Sequence, residues 1–394
     1  MSGDVARVPE GVLVFFHCRS NAGYAIRTLE EILLNVGRSV AASGRVYFGY
    51  PELDESPPAF LPLEYHDRVF RFDASRIDPA CARQIQTYLA DRGITLAIGF
   101  DQPVASAGHR VLRRAGVRTL ISYWGAPMSS INHGFRLAAK QLQVLLTQAK
   151  PDHFIFESEA MRETAVRGRG IPRGRTSVCY LGVDVNRFRP AADGDDYAHR
   201  VFGIPRERKI VYYSGHFEPR KGVAVILNAA RELVEERGRR DVHFLLLGNR
   251  GQEAEGYRPL IRETSAAGHV TFGGYRNDVD RIVPTCYVAT IASTGWESFT
   301  MSALETAASG LPLVASRLQG LAETVEDGVT GYLFPPGEHA VLADRLEMLL
   351  DDSQLRSRMS AASRERIMRG FSRDHQIRCL TETVRRVWER TGSR

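Results

Sequence analysis

The chain has 394 residues, too many for one ordinary hydrophobic core and enough for about two domains of usual size. With 43% hydrophobic and 25% charged residues it reads as soluble and globular, and no apolar run approaches the about 18 residues of a membrane-spanning helix. The net charge of +6 sits entirely in one half: residues 1–190 carry 24 Arg and Lys against 18 Asp and Glu, while residues 191–394 carry 28 of each.

The chain begins with a polar stretch, MSGDVARVPEG, that has neither the charged start nor the apolar core of a secretion signal, so a cytoplasmic protein is expected. Val12 to His17 is a short apolar strand, followed by Arg19-Ser20-Asn21-Ala22-Gly23 and a long amphipathic helix to about Ala42. A strand, a turn of small residues and a helix form a candidate ligand loop, with Asn21 and Gly23 at its centre. Further strands are predicted at Val46–Phe48, Val69–Phe72, Leu96–Gly99, Thr119–Tyr123, Phe154–Phe156 and Ser177–Tyr180, with helices at Ala80–Ala90, Pro103–Ala115 and Phe135–Ala149. This alternation predicts an α/β fold with a mainly parallel sheet, whose ligands sit at the C-terminal strand ends. Those ends carry His17, Asp101 and Trp124.

Two arginine clusters contribute to the basic character of this half, one at Arg110, Arg113, Arg114 and Arg118, the other at Arg167, Arg169, Arg173 and Arg175. They suit an anionic membrane or a phosphorylated acceptor. They lack the interleaved aromatics of a nucleic-acid surface. The cysteines, Cys18, Cys81, Cys179, Cys286 and Cys379, are scattered without a CxxC pair, which suggests neither a zinc site nor a disulfide framework.

Ala191 to Asp196 reads as a polar linker, after which the pattern restarts. Lys209–Ser214 is a strand, Gly215–Gly222 a loop, Val223–Glu236 a helix and Val242–Leu247 a strand ending at Gly248. Val270–Phe272, Val288–Ile291, Leu313–Ala315 and Gly331–Phe334 continue the sheet, and helices follow His339 almost to the end. Three domain segments are expected: residues 1–190, residues 197–372, and a last helix within residues 373–394.

The stretch Ser293 to Ser316 carries the chemistry. Ser298 and Thr300 offer N-caps to a helix over Met301–Ala308 that Gly310 and Pro312 stop. Unpaired amides at Thr300, Met301 and Ser302 can cradle a phosphate. Glu297 and Glu305 flank this anion site, a repulsive placement unless the carboxylates accept hydrogen bonds from sugar hydroxyls. In the preceding loop, Lys221 is one of only four lysines beside 48 arginines, and with His216 it lies at the sheet edge where a diphosphate would need a cation. Asp278-Val279-Asp280 has the DxD form of a metal site, but N-capping of a short helix explains it better.

These residues resemble the retaining glycosyltransferases of family 4, which have the GT-B fold. The likeness is most specific over residues 209–337 and looser elsewhere. It rests on Gly215-His216-Phe217-Glu218-Pro219-Arg220-Lys221-Gly222, the E-x7-E pattern from Glu297 to Glu305, Ser309 to Ser316, Gly320 to Glu323, Glu326 to Gly331, and Gly182-Val183-Asp184 with Phe188 and Pro190. The resemblance implies two Rossmann-like domains facing across a cleft, the donor on the second, the acceptor on the first, and the last helix packed on the first. Glu305 would hold the ribose, Glu297 the donor sugar, and Lys221, assisted by His216, the leaving diphosphate. Phe299, Thr300, Met301 and Ser302 would offer backbone amides, with Gly215 and Arg220 nearby, while Gly248, Tyr275 and Arg276 would surround the base.

The implied reaction moves a hexose-type sugar from a nucleotide diphosphate sugar, UDP- or GDP-linked, to a hydroxyl of a glycan, lipid-linked or small-molecule acceptor. Retention at the anomeric carbon is expected, with no metal and no cofactor beyond the donor itself. Peripheral contact of the basic half with the inner membrane face is also expected. Three departures from the family pattern stand out: His216 in place of Arg, Ser298-Phe299-Thr300 in place of Gly-Phe-Gly, and Tyr123 to Pro127 where a first-domain His is usual. His17, Asp101 and His133 are the substitutes to test. These departures motivate one alternative, a nucleotide-sugar-binding protein without transferase activity. An epimerase would need first-domain acid and base carboxylates, and no convincing pair is found.

Overall fold

The computed structural model describes residues 8–42 and 44–392; residues 1–7, on which the expectation about a secretion signal partly rests, lie outside them. The chain forms two compact units, Met1–Tyr180 with Asp374–Arg394, and Leu181–Arg373.

The first unit is a seven-stranded parallel sheet of order β3-β2-β1-β4-β5-β6-β7. Its strands are β1 (Gly11–Phe15), β2 (Val46–Tyr50), β3 (Val69–Arg71), β4 (Ile94–Phe100), β5 (Thr119–Trp124), β6 (His153–Phe156) and β7 (Thr176–Val178). β1 and β2 are buried at every residue, which is why they read as unbroken apolar runs. Their alternation surfaces in the packing. Val12 and Val14 face α1 (Tyr24–Val40) and the C-terminal helix, while Leu13 and Phe15 pack with Leu89 of α2 (Pro79–Asp91) and Leu112 of α3 (Ala107–Arg114). The predicted helix over Pro103–Ala115 starts only at Ala107, because the Ser106 hydroxyl caps it by accepting from the Gly108 amide at 3.3 Å. The unit also contains α4 (Gly134–Leu146) and the short α5 (Glu159–Glu163).

The second unit is a six-stranded parallel sheet of order β10-β9-β8-β11-β12-β13. The strands are β8 (Lys209–Ser214), β9 (Val242–Leu247), β10 (Val270–Gly274), β11 (Val288–Ile291), β12 (Leu313–Ser316) and β13 (Gly331–Phe334). Six helices, α6 (Tyr197–Phe202), α7 (Val223–Arg231), α8 (Val279–Ile282), α9 (Met301–Ala308), α10 (Gln319–Ala322) and α11 (His339–Asp351), cover its two faces. α12 (Ser353–Gly370) follows and its residues lie against α9. Leu181 to Pro190 goes with this unit: Val183 bridges Ser372, and the Arg364 guanidinium donates to the carbonyls of Val185 at 3.0 Å and Phe188 at 2.8 Å.

The last helix, α13 (Arg373–Gly392), lies on the α1 face of the first sheet through Leu380, Val384, Val387 and Trp388. Its Cys379 forms a disulfide with Cys179 at the end of β7, across a separation of 200 residues. The expectation from scattered cysteines is corrected here. A pair so far apart in sequence becomes neighbours only when α13 folds back, with Cα atoms 5.9 Å apart.

Candidate active site

The site of the second unit is built at the C-terminal ends of the paired strands β8 and β11. The loop after β8 ends at Gly222, whose φ is +71°, and a Cβ there would overlap the Ala292 carbonyl. Only glycine allows that approach. The Arg220 carbonyl accepts from the amides of Thr294 at 2.7 Å and Gly295 at 3.1 Å, and its guanidinium donates to the Trp296 carbonyl at 3.0 Å while stacking over that ring. The two loops are thereby held as one piece.

This places Lys221 beside Glu297, Nζ to Oε1 at 2.6 Å. Glu297 is only 4% exposed, and donors surround its carboxylate: the Ser293 hydroxyl at 2.7 Å, Thr300 at 3.4 Å, and the Arg220 guanidinium at 3.6 Å. A buried carboxylate survives only with such compensation. The Glu297 amide in turn donates to Gln319 Oε1 at 3.0 Å. Nothing in the sequence marks Ser293 or Gln319 as a partner of Glu297. Gln319 lies 22 residues downstream with φ +41°, and nothing in local sequence ties it to Glu297.

α9 begins at Met301, as expected, with Thr300 as its N-cap residue. The capping itself differs at Thr300: its hydroxyl makes no cap bond and bonds the Glu297 carboxylate instead. The helix therefore presents its first amides at Met301 and Ser302, which have no intrahelical acceptor. Glu305, one turn further, is buried at 7% exposure. The Phe299 ring is buried in a stack on Phe371, with centroids 5.6 Å apart.

Around this centre, His216 is exposed and its carbonyl accepts from the Tyr213 hydroxyl at 2.9 Å. Gly215 and Gly248 touch: with φ +103° at Gly248, a Cβ there would overlap the Gly215 carbonyl. Tyr275 is half exposed beneath the Arg250 guanidinium, 4.3 Å away. Tyr275 to Asp278 line a shallow depression. Arg276 is committed to Asp278 by a two-pronged pair at 2.6 and 2.8 Å. The capping role expected for Asp278 is corrected: its carboxylate takes Arg276 and the Tyr197 hydroxyl at 2.8 Å and makes no cap bond, while Asp280 pairs with Arg187 at 2.9 Å. Both carboxylates serve ion pairs.

In the first unit, three of the six candidates meet at the ends of the adjacent strands β1, β4 and β5. The His17 ring stacks on Phe100 at 5.3 Å. Asp101, held at φ +50°, accepts from the Gly125 amide at 2.9 Å, and the Trp124 indole donates to the Gln102 carbonyl at 3.0 Å. Burial pushes the Asp101 carboxyl up to about 6, against the Gly125 hydrogen bond and the attraction of His17. Asn21 is spent on structure, its side chain accepting from the Ala59 amide at 3.0 Å. Gly23 starts α1 with φ +122°, and His133 is exposed at the start of α4. Buried Glu30, unnoticed in the sequence, accepts from the Tyr50 hydroxyl at 2.8 Å, and desolvation raises its carboxyl to about 7.

Residues 195–366 match the family model described as "Glycosyl transferases group 1". A phosphatidyl-myo-inositol mannosyltransferase of Mycobacterium leprae is 35% identical over 327 residues, which is 81% of this chain and 80% of that protein. The chain belongs to the group 1 glycosyltransferases. A second relative, the D-inositol 3-phosphate glycosyltransferase of Corynebacterium efficiens, is 34% identical over 190 residues, but the chain spans only 45% of its length. Among solved structures, this group 1 glycosyltransferase is similar to Anabaena Alr3699/HepE in complex with UDP, with TM-score 0.76, 20% identity, and 95% of this chain and 99% of that one covered. The sucrose-phosphate synthase of Thermosynechococcus elongatus superposes with TM-score 0.72 at 22% identity, covering 95% and 98%. At those identities the likeness establishes the fold, and that fold is GT-B with two Rossmann-like domains.

Proposed function

We propose that this group 1 glycosyltransferase moves a hexose-type sugar from a nucleotide diphosphate sugar to an acceptor hydroxyl, with retention and without a metal. The observation that carries the reading is the buried Glu297–Lys221 pair, at 2.6 Å, set immediately before the N-terminal amides of α9 with Glu305 within that helix. As the donor enters, its diphosphate competes with Glu297 for Lys221 and lies against the α9 amides. Glu297, relieved of the lysine, accepts from sugar hydroxyls, and Glu305 accepts from the ribose. The bond from the anomeric carbon to the diphosphate oxygen breaks while the acceptor oxygen bonds that carbon from the same face. The acceptor's proton passes to the departing phosphate oxygen, and fixed positive charge stabilises the leaving group.

The acceptor reading follows the relatives' names, both of which carry an inositol unit, one of them lipid-linked. A phosphorylated or lipid-linked polyol is thus the favoured acceptor, met at an anionic membrane surface by the basic first unit. The donor nucleotide is UDP or GDP; the Anabaena neighbour is named with UDP and UDP-glucose.

A melting screen of the purified protein against UDP-, GDP- and ADP-sugars tests the reading, since a ligand at about 100 times its Kd adds roughly 2.7 kcal/mol. One base should raise the midpoint, and Glu305→Ala should abolish the rise. Glu297→Gln should keep nucleotide binding and lower donor turnover by about 100-fold or more. Tight nucleotide binding with no turnover by the wild type, with inositol acceptors or with water, would leave only the binding-protein alternative.

A further inference from the structure

α4 leaves most of its surface uncovered. Of its thirteen residues only Val144 is buried, against Phe154, Met161 and Ile171. Phe135 is 87% exposed, Leu145 72%, Leu146 70% and Leu142 55%. At about 100° per residue these four, with Ala138 and Ala139, fall on one arc of about 120°, opposite Val144. The helix is nonetheless anchored. Asn132 donates to the Gly168 carbonyl at 2.6 Å, Arg169 reaches Gln143 at 3.1 Å, and a Cβ on Gly170 would come within 2.6 Å of the Gln141 amide. An apolar stripe on a firmly seated helix is a surface kept for something else.

Charge decides among the occupants. Residues 102–151 contain no Asp or Glu and seven Arg or Lys. Several of these are structural: Arg113 pairs with Asp152 at 2.7 Å, Arg118 lies over the Trp388 ring, and Lys150 donates to the Thr147 carbonyl at 2.8 Å. On α4, exposed Arg136 borders one side of the apolar arc, and exposed Arg167 lies in the segment whose carbonyl accepts from the Asn132 amide just before the helix; partly buried Lys140 lies nearly opposite the arc, beside Val144. A second copy meeting this face about a two-fold axis would oppose cations with cations. An anionic bilayer supplies acyl chains for the stripe and phosphates for its flank.

We infer that α4 is an interfacial membrane-docking helix, its Phe135, Leu142, Leu145 and Leu146 inserted among acyl chains and Arg136 placed at the lipid phosphates. This deepens the membrane-side reading above, naming the element and the lipid chemistry, and it does not depend on donor turnover.

The test is co-sedimentation of the full chain with phosphatidylcholine vesicles with and without phosphatidylglycerol. The wild type should pellet only with the anionic vesicles. Leu142→Glu combined with Leu145→Glu should abolish pelleting, and Arg136→Gln should weaken it about fivefold, the effect of about one charge. All these positions lie at the surface, so melting midpoints and nucleotide-induced shifts should match wild type. Phe135→Trp supplies an independent signal, a blue-shifted emission on adding anionic vesicles. Wild type that stays in the supernatant, or a leucine variant that pellets equally, overturns the inference. So does a lipid-free dimer in light scattering that the leucine variant dissolves, which would assign the face to a second copy. A missing nucleotide shift in the wild type would instead count against the donor site and leave the vesicle result standing.

Discussion

Glu297 is a carboxylate that the surrounding residues have made tolerable in an almost dry place. Lys221, Ser293, Thr300 and Arg220 all direct donors at it. Removing the nearest cation leaves a buried charge short of compensation, so Lys221→Ala should cost about 3 kcal/mol in a denaturant titration, besides its effect on turnover. Glu30 shows the other solution to burial. Its carboxyl is raised to about 7 from 4.5, mainly by desolvation. The folded state therefore favours the protonated form, and the stability it contributes is complete below about pH 4.5 and is lost as pH rises to about 7. Glu30→Gln should flatten that slope, by on the order of 3 kcal/mol across the window, in melting curves recorded from pH 4.5 to 7.5. The sequence exposed Glu297, Lys221 and Glu305, because their spacing and rarity are visible locally. Ser293, Gln319 and Glu30 are ordinary residues until folding brings partners to them.

At the scale of elements, the site depends on two loops drawn together rather than on any one helix. Gly222, at φ +71° against the Ala292 carbonyl, is where they close. Gly222→Ala meets both a backbone penalty and a clash, so a loss of about 1–3 kcal/mol is expected, together with loss of the nucleotide-induced melting shift. A variant that melts like wild type and still binds nucleotide would show that the loops do not need this approach. Strand and helix identities were readable because apolar runs, Gly and Pro mark them locally. Capping was less so. Ser106 started α3 late, Thr300 turned its hydroxyl to Glu297, and Asp278 chose Arg276 over a helix end. In each case a polar side chain had competing partners, and only three-dimensional proximity decided between them.

For the whole molecule, the C-terminal helix matters most, since α13 covers one face of the first unit's sheet. Trp388 is buried there with Leu380, Val384 and Val387. Trp388→Ala should cost about 3–5 kcal/mol and raise hydrogen exchange in β1 to β7 while leaving β8 to β13 protected. Uniform loss of protection in both sheets would mean the units unfold as one. The Cys179–Cys379 disulfide joins the same helix to β7 and leaves Cys18, Cys81 and Cys286 as free thiols among the described residues. Thiol titration of denatured, unreduced protein should therefore count three, against five after reduction. Such a bond is uncommon in a reducing cytoplasm, so the count also bears on the compartment expected from the polar start.

The sequence by itself determined the two parallel α/β sheets and the order of their elements, and it singled out Glu297, Lys221 and Glu305 as candidates, because periodicity, turn residues and short motifs are properties of neighbours along the chain. Tertiary structure alone decided which polar groups Glu297 meets, that Asn21 and Asp278 are spent on structure, that Cys179 finds Cys379, and that the apolar face of α4 stays uncovered. Those outcomes depend on contacts between residues tens to hundreds of positions apart, where burial and partner geometry, not local pattern, set the free energy.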